Sequence, residues 1–341
     1  MVVTTANQRQ KEFEMKVLKI FVKFRGQGVI NFGANAGTNH KPAKITKVNG
    51  KDLVIISSAC FKNALYGHTG TRHTSYVSHP HLQAVLFASP NLMLQGWLNP
   101  QENNTFKRKS PVTTLDLIQS NDSSIEKHIG TKMGAKTDKE EGKKGTTLRS
   151  EDTIGYIEYE TTIFIDLQEL QFLPLDGATD RVSLPEEIYK TDLFKSQWLR
   201  NFGESFPEPS LFTKVSADDN LPELGVMFSD NVVRKIVAKL LEKLENFQLH
   251  RNKAFVEIAS FEMVVQNGPL SKPIKITNID DVSVTPNYAP AEAGLEERWA
   301  EIQEKFKTGE KIAKKAATEK KEEAAELKKS KKAAKIVETK E

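Results

Sequence analysis

Cysteine is almost missing from this sequence of 341 residues, which contains only Cys60. A single cysteine excludes an internal disulfide and any metal site built from several cysteine ligands, and its apolar neighbours predict a buried, inert thiol. The sequence also lacks an N-terminal signal pattern and any run of roughly 20 apolar residues, the length that a membrane-spanning helix needs. We therefore expect a cytoplasmic protein that has no membrane partner.

Acidic residues are missing from one long stretch, because none occurs between Glu14 and Asp52 although the chain has 45 of them. The formal net charge is only +4, so affinity for a polyanion would depend on where the cations lie and not on their number. Within this stretch, the segment RGQGVINFGANAGTNHKP is rich in glycine and too interrupted for a helix. The pattern predicts a functional loop.

Several segments have the apolar periodicity of a protein core. The predicted strands are 13–24, 153–170 and 254–265, and the predicted helix is 229–249. A further apolar run leads into Ser57 and Ser58, which are typical of the start of a helix. The order strand, loop, helix, insertion, strand, helix, strand predicts an α+β protein with a ferredoxin-like or RRM-type palm.

Three segments lack this core pattern. Residues 74–111 mix apolar stretches with turns, which predicts an insertion. Residues 118–152 are largely polar and glycine-rich, which predicts a projecting hairpin or a mobile loop. After about residue 290 the composition changes to alanine, lysine and glutamate. We predict one palm domain over 1–290 that carries both insertions, followed by a charged helical or disordered tail over 291–341.

The segment SSACFKNALY, residues 57–66, resembles a helix start found in the RAMP proteins, which form the backbone of multi-subunit CRISPR effectors. In many RAMP proteins a strand runs into a small-small-apolar-Lys-x-x-Leu-Arg element, and here Tyr66 replaces the arginine. The order of parts is also similar, with 74–111 as a finger and 118–152 as a thumb. The resemblance spans roughly residues 13–265 and looks most like the backbone subunit of type IV systems.

This resemblance implies a guide-RNA clamp without chemistry of its own. Copies of the chain would polymerise along crRNA as a helical filament with other CRISPR effector subunits, and would present the guide to target DNA or RNA. Glycines at 26, 28, 33 and 37 would let the backbone approach phosphates, and Phe32 or Tyr66 would stack a base.

The expected RNA contacts fall into two groups. Those from the loop and the helix are Arg25, Asn31, Phe32, Asn35, Asn39, His40, Lys41, Lys44, Lys62, Asn63, Tyr66, His68, Arg72 and His73. Those from the thumb, which in the family lies across the guide, are Lys127, His128, Lys132, Met133, Lys136, Lys143, Lys144 and Arg149. A late glycine-rich loop of the relatives is replaced here by ENFQLHRNKAF, whose part in RNA binding stays open.

Two other functions stay open as well. RAMP subunits of type III systems cut target RNA with an aspartate in the first loop, and the acid-free stretch argues against that activity because it offers no general base or metal ligand. The lysine-rich tail suggests a general single-strand RNA-binding protein instead. We expect no enzyme, no metal and no cofactor, because the histidines over 68–81 match no metal motif and RGQG matches no nucleotide fingerprint.

Overall fold

The structure is a computed structural model. It describes residues 16–33, 40–66, 80–100, 105–133, 146–175, 183–214, 222–251, 254–268, 271–282, 284, 288–291, 300 and 304. The strands are β1 (Lys16–Gln27), β2 (His40–Lys41), β3 (Ile45–Val48), β4 (Lys51–Ile56), β5 (Trp97–Pro100), β6 (Thr105–Arg108), β7 (Val112–Thr114), β8 (Leu117–Gln119), β9 (Glu126–Met133), β10 (Thr146–Thr153), β11 (Ile157–Asp166), β12 (Phe172–Pro174), β13 (Ser210–Lys214), β14 (Pro222–Met227), β15 (Gln248–Arg251), β16 (Ala254–Asn267), β17 (Ile274–Ile276) and β18 (Tyr288–Pro290). The helices are α1 (Ser58–Tyr66), α2 (Pro80–Phe87), α3 (Pro90–Gln95), α4 (Leu167–Gln171), α5 (Glu186–Tyr189), α6 (Asp192–Phe202) and α7 (Asp230–Glu245).

The main sheet has the strand order β15-β16-β1-β11-β8-β4-β3, with β17 on β16 and β7 on β11. Strand β1 lies between β11 and β16 and pairs antiparallel with both. Taken in chain order, β1, α1, β8, β11, α7 and β16 give the spatial order β16-β1-β11-β8, which is the split βαβ arrangement of ferredoxin-like folds. The predicted α+β fold with a ferredoxin-like palm is therefore confirmed.

The two palm helices cover one face of this sheet. Strand β1 alternates so that Leu18, Ile20, Val22 and Phe24 point into the core. The ring of Phe61, from α1, lies 5.5 Å from the ring of Phe24. Helix α7 presents its apolar stripe to the same core, as its helical spacing predicts. The predicted strands 13–24 and 254–265 are thus β1 and β16, and the predicted helix is α7.

The segment predicted as an insertion over 74–111 is part of the core in its central region. Helices α2 and α3 and strand β5 lie within 80–100, and Phe87, Met93 and Trp97 from this region are at most 3% exposed. The indole Nε1 of Trp97 donates to the carbonyl of Ser183 at 2.7 Å. Residues 80–100 therefore pack into the core, 74–79 lie outside the described residues, and the finger assignment of 74–111 stays a prediction.

The sequence analysis assigned no elements between residues 171 and 228, where the structure has a second layer. Strands β12, β14, β13 and β18 form a small antiparallel sheet. Beside it, the rings of Trp198 and Phe206 lie 4.9 Å apart, and Phe228 contacts Trp198 at 5.0 Å. These strands are only three to six residues long, which is too short for a clear apolar alternation.

Part of the segment 118–152 forms a hairpin, while its first residues belong to β8 in the main sheet. Strand β9 pairs antiparallel with β10, from Glu126 opposite Thr153 to Met133 opposite Thr146. Residues 134–145 lie outside the described residues. The tail prediction for 291–341 stays a prediction, because only 291, 300 and 304 of that range are described. Within the described part of the chain, none of the helices has the length and apolar character needed to span a bilayer.

We expect the Phe61→Ala variant to lower the free energy of unfolding by about 3–5 kcal/mol, because it leaves a cavity between the Phe24 and Phe247 rings. Equilibrium denaturation with urea measures this change. Asn63→Ala, an exposed position of the same helix, is the control and should change stability by less than about 0.5 kcal/mol. Equal losses in both variants would show that α1 does not anchor the core through Phe61.

Candidate nucleic-acid interface

The two ends of the glycine-rich loop pair with each other. The N–H of Gly33 donates to the carbonyl of Pro42 at 2.8 Å, and the N–H of Lys44 donates to the carbonyl of Asn31 at 2.9 Å. Phe32 and Ala43 form a β-bridge between these bonds. The loop therefore begins as a short hairpin directly after β1, and residues 34–39 lie outside the described residues.

Two of the loop's glycines have a packing role that the sequence analysis did not predict. A Cβ on Gly26 would meet the carbonyl oxygen of Phe255 at 2.4 Å, and a Cβ on Gly28 would meet the Cβ of Ala254 at 2.8 Å. Gly28 also has a φ of +77°, in the left-handed region that favours glycine. These glycines allow β16 to approach β1 closely, so their presence does not itself indicate a phosphate contact.

The loop is joined by backbone pairing to the hairpin formed by β9 and β10. Strand β2 pairs parallel with β10, placing His40 opposite Ser150 and Lys41 opposite Glu151. The carboxylate of Asp152, on β10, accepts a hydrogen bond from the N–H of Ala43 at 2.7 Å. The loop and the base of the hairpin are consequently held as one unit, although they are more than a hundred residues apart in sequence.

Helix α1 begins beside this loop, where predicted, but its cap differs from the prediction. The hydroxyl of Ser57 accepts from Nδ2 of Asn31 at 3.0 Å, while the N–H of Ser58 donates to Oδ1 of Asp116 at 2.7 Å. A carboxylate from the turn between β7 and β8 therefore caps the positive end of the helix dipole. The sequence analysis missed Asp116, because no local pattern connects it to a helix start 58 residues away.

Two cations, Arg251 and Lys44, act on the thiol of Cys60 in α1. The pKa of the Cys60 thiol is raised because the thiol is partly buried, and the positive charges of Arg251 and Lys44 oppose that rise. Arg251 also hydrogen-bonds the thiol, and Lys44 lies near enough for its charge to act on it. Cys60 itself is half-buried, not fully buried as predicted. Arg251 was not among the expected contacts, and only the basic segment containing it, ENFQLHRNKAF, pointed to it.

Four expected contacts face solvent or the loop. Nζ of Lys41 lies 5.8 Å from the centre of the Phe32 ring, and Phe32 is half-buried against the core. Asn63 is exposed on α1, one helical turn from Cys60. Arg25 is exposed and pairs with Glu257 at 2.7 Å. Lys41 and Phe32 belong to the same loop as Lys44, and Asn63 belongs to the same helix as Cys60. We call the surface formed by Lys44, Cys60 and Arg251 the loop-helix surface.

Three other expected contacts are turned inward. Tyr66 is 5% exposed, so its ring cannot stack on a base, and burial raises the pKa of its hydroxyl. Nζ of Lys62 donates to the carbonyl of Val112 at 3.1 Å, and burial lowers its pKa. The amide of Asn31 bonds Ser57, and its Oδ1 is buried without a hydrogen-bond partner among the described residues. These three side chains support the fold around α1 in this conformation.

The residues predicted to contact RNA from the thumb lie on β9 and β10 or outside the described residues. Lys127 is exposed on β9, and the backbone register places Lys132 opposite Thr147 and Arg149 opposite Gly130. His128 and Met133 also lie on β9. The predicted contacts outside the described residues are Asn35, Asn39, His68, Arg72, His73, Lys136, Lys143 and Lys144. The described residues contain no group of three His, Cys, Asp or Glu side chains that could hold a metal.

The open face of the main sheet has a different character. Lys23 pairs with Glu160 at 3.1 Å, Arg25 with Glu257, and Lys275 with Glu262 at 2.8 Å. Phe21 is the large apolar side chain on this face of β1 and is 43% exposed. RRM proteins bind RNA on the corresponding face by stacking bases on aromatic rings. Here carboxylates accompany every one of these cations and would repel a phosphate backbone, so the loop-helix surface is the better candidate.

We expect Asp152→Ala to loosen the connection between the loop and the hairpin. The variant removes the acceptor of the Ala43 N–H, and an unpaired buried donor costs about 1–3 kcal/mol. Hydrogen exchange at residues 40–44 should accelerate while exchange in α7 stays unchanged. Asp122→Ala, which removes an exposed carboxylate that pairs with Lys51, is the control and should leave both rates unchanged. Unchanged exchange at Ala43 in the first variant would contradict this coupling.

No curated protein matches the chain. Two solved structures show weak likenesses to it. One, described as "CRISPR RNA-guided surveillance complex", is 12% identical over 73% of this chain and 68% of that chain, with a TM-score of 0.36. The other, "CRISPR RNA-guided surveillance complex, pre-nicking", is 9% identical over 73% and 75%, with a TM-score of 0.38. The family model described as "Type I-Fv CRISPR-associated protein Cas7fv-like" matches residues 4–287, so the chain belongs to the Cas7fv-like family of CRISPR-associated proteins.

Proposed function

We propose that the chain is a crRNA-binding backbone subunit of a CRISPR effector complex and that the loop-helix surface holds the guide. The observation that carries this proposal is the convergence of Lys44 and Arg251 beside Cys60, next to a loop free of acidic residues, in a member of the Cas7fv-like family. Lys41 and Asn63 extend the surface on either side. Cations and amide donors of this kind bind phosphate oxygens and read no sequence.

Sequence recognition would then come from base pairing between the guide and its target, while the protein holds the guide backbone. The hairpin of β9 and β10, which the loop contacts through β2, is the proposed thumb. The same proposal includes RNA contacts of this hairpin, a finger formed by 74–111 and a palm that ends near residue 290. A head-to-tail contact between copies of the chain would produce a helical filament instead of a closed ring.

We propose the branch of the CRISPR system from the family match. The matching family is described as type I-Fv, which supports a type I-Fv-like complex. No comparison supports the type IV branch that the sequence suggested. We expect such a complex to contain other effector subunits that contact this chain, and to act on a target of DNA or RNA. Both points are proposed on the family match alone.

We further propose that the subunit does not cut nucleic acid. No Asp or Glu occurs between Glu14 and Asp52, so the loop offers no general base. Two acids that contact the loop and α1, Asp152 and Asp116, each accept a backbone N–H at 2.7 Å. These bonds fit capping and anchoring roles. A type III-like nuclease is the alternative, and no observed side-chain arrangement favours it.

We expect the triple variant Lys41→Ala, Lys44→Ala, Arg251→Ala to bind guide RNA more weakly, because three phosphate contacts are lost. The slope of log affinity against log salt concentration should become shallower by about 2, at about 0.7 per single-strand contact. Fluorescence anisotropy with labelled crRNA across a salt series measures this. The matched control, Lys19→Ala, Lys23→Ala, Lys275→Ala, removes the same charge from the open sheet face and should leave the slope unchanged. Equal slopes for wild type and both variants would refute the assignment.

Cys60 offers an independent probe, because it is the only cysteine and the charges of Lys44 and Arg251 both act on its thiol. Bound crRNA should slow its alkylation by iodoacetamide at least several-fold, since the guide would cover the loop-helix surface. Alkylation at alkaline pH with and without crRNA, followed by mass spectrometry, measures the rate. Equal rates at saturating guide would place the RNA elsewhere.

Incubation of the guide-loaded complex with complementary RNA and a divalent cation tests the non-catalytic proposal. The expected result is intact target RNA on a denaturing gel. Cuts at a regular spacing would overturn the proposal and favour the type III-like alternative. Residues 307–341 can be deleted in the same preparation, and retention of guide RNA after deletion would argue against general RNA binding by the lysine-rich tail.

A further inference from the structure

Strand β15, at one edge of the main sheet, points successive side chains to opposite faces of that sheet. Arg251 faces α1, because it hydrogen-bonds the Cys60 thiol. His250, the preceding residue, therefore faces the open side of the sheet. It is exposed, and in the strand register it lies opposite Phe255 of β16. One short strand thus connects the loop-helix surface with the open face of the sheet.

His250 and Phe255 form a pair of aromatic rings on this open face. The ring centroids are 6.3 Å apart, and the ring planes are within 28° of parallel. Phe255 is half-buried, while its neighbours Ala254 and Val256 point into the core. Phe255 also lies opposite Gln27, the last residue of β1. The ring pair is therefore at the end of the sheet where β1 leads into the hairpin of the glycine-rich loop.

The surroundings of the ring pair suit an uncharged planar group. The next residue on the same face of β16 is Glu257, whose carboxylate accepts a hydrogen bond from Nε of Arg25 at 2.7 Å. Opposite Glu257, β15 carries Gln248, which is exposed and uncharged. A nucleobase is planar, and each of the four bases has a π face that stacks on aromatic rings. The cation of β15, Arg251, is on the other face, where a phosphate of the same strand would bind.

Cross-strand aromatic pairs also stabilise sheets, so a purely structural role has to be distinguished from binding. The two roles affect Arg251 differently. If His250 only held β15 against β16, its loss would displace Arg251 and remove a phosphate contact. If the ring binds a base, its loss would leave Arg251 in place, and the number of phosphate contacts would not change. The salt dependence of RNA binding reports that number.

We propose that the rings of His250 and Phe255 stack an unpaired nucleobase of the guide RNA. This inference rests on the proposed function, because it needs the guide at the loop-helix surface, and it adds a base contact to the phosphate contacts there. The guide would cross the edge of the sheet at β15, with a phosphate on Arg251 and a base on the ring pair. The pair takes the stacking role that the sequence analysis expected of Tyr66, which is buried. Stacking tolerates any sequence, as a guide-binding subunit requires.

The test compares His250→Ala, His250→Tyr and Gln248→Ala by fluorescence anisotropy with labelled crRNA over a salt series. His250→Ala should weaken binding by about 5-fold or more at each salt concentration, since one stacked base contributes at least that much, and the salt slope should stay at the wild-type value. His250→Tyr restores a ring and should bind within about 2-fold of wild type. Gln248→Ala, an exposed position on the same face of the same strand, should match wild type. Circular dichroism verifies that the variants keep the wild-type melting temperature within a few degrees.

An affinity of His250→Ala equal to that of wild type would overturn the inference. A salt slope shallower by about 0.7, the value for one lost contact with a single strand, would also contradict it, because His250 would then bind phosphate or hold Arg251 in place. Failure of His250→Tyr to restore affinity would count against stacking in the same way. Failure of the proposed function is distinguishable, because wild-type protein would then show no affinity for crRNA at low salt.

Discussion

Strand β1 is paired along its length on both sides, by β11 and by β16, and this double pairing decides where the chain emerges at the edge of the palm. Gly26 and Gly28 are part of this constraint, because any Cβ there would collide with β16. Once β1 is fixed, the glycine-rich loop leaves the sheet beside the start of α1. It is then held by Asp152 and by β2 pairing with β10. The cations of the loop-helix surface owe their position to this backbone arrangement.

The positions of the charged side chains also follow from the main sheet. On the open face of the sheet three cations pair with carboxylates across the strands: Lys23 with Glu160, Arg25 with Glu257 and Lys275 with Glu262. Exposed pairs of this kind contribute little to stability, but they cancel the local positive potential. Beside the glycine-rich loop, by contrast, the charges of Lys44 and Arg251 both act on the Cys60 thiol. A small net charge is therefore compatible with a local anion site.

The palm was predictable from the sequence because its elements are long and half-buried, so that burial leaves a period in the sequence, as in β1, α7 and β16. The short strands between 172 and 227 carry no such period, and the core role of α2 and α3 depends on contacts with α6 and α7 that no local pattern reveals. Within the candidate site, the sequence indicated the acid-poor loop and Lys41 and Lys44. Tyr66 and Lys62 were also expected to contact RNA, but the register of α1 turns both side chains inward.

The residues that sequence reasoning missed share one property, which is distance along the chain. Asp116 reaches α1, Asp152 reaches the loop, and Arg251 reaches Cys60 only after the sheet has formed. The two aspartates also bear on the proposal that the subunit does not cut nucleic acid. Each carboxylate is held by a backbone N–H, and an acid used in this way is a poorer candidate for general base than one facing a substrate. A loop without acids, bordered by acids that hold backbone N–H groups, is suited to retaining a polyanionic strand intact.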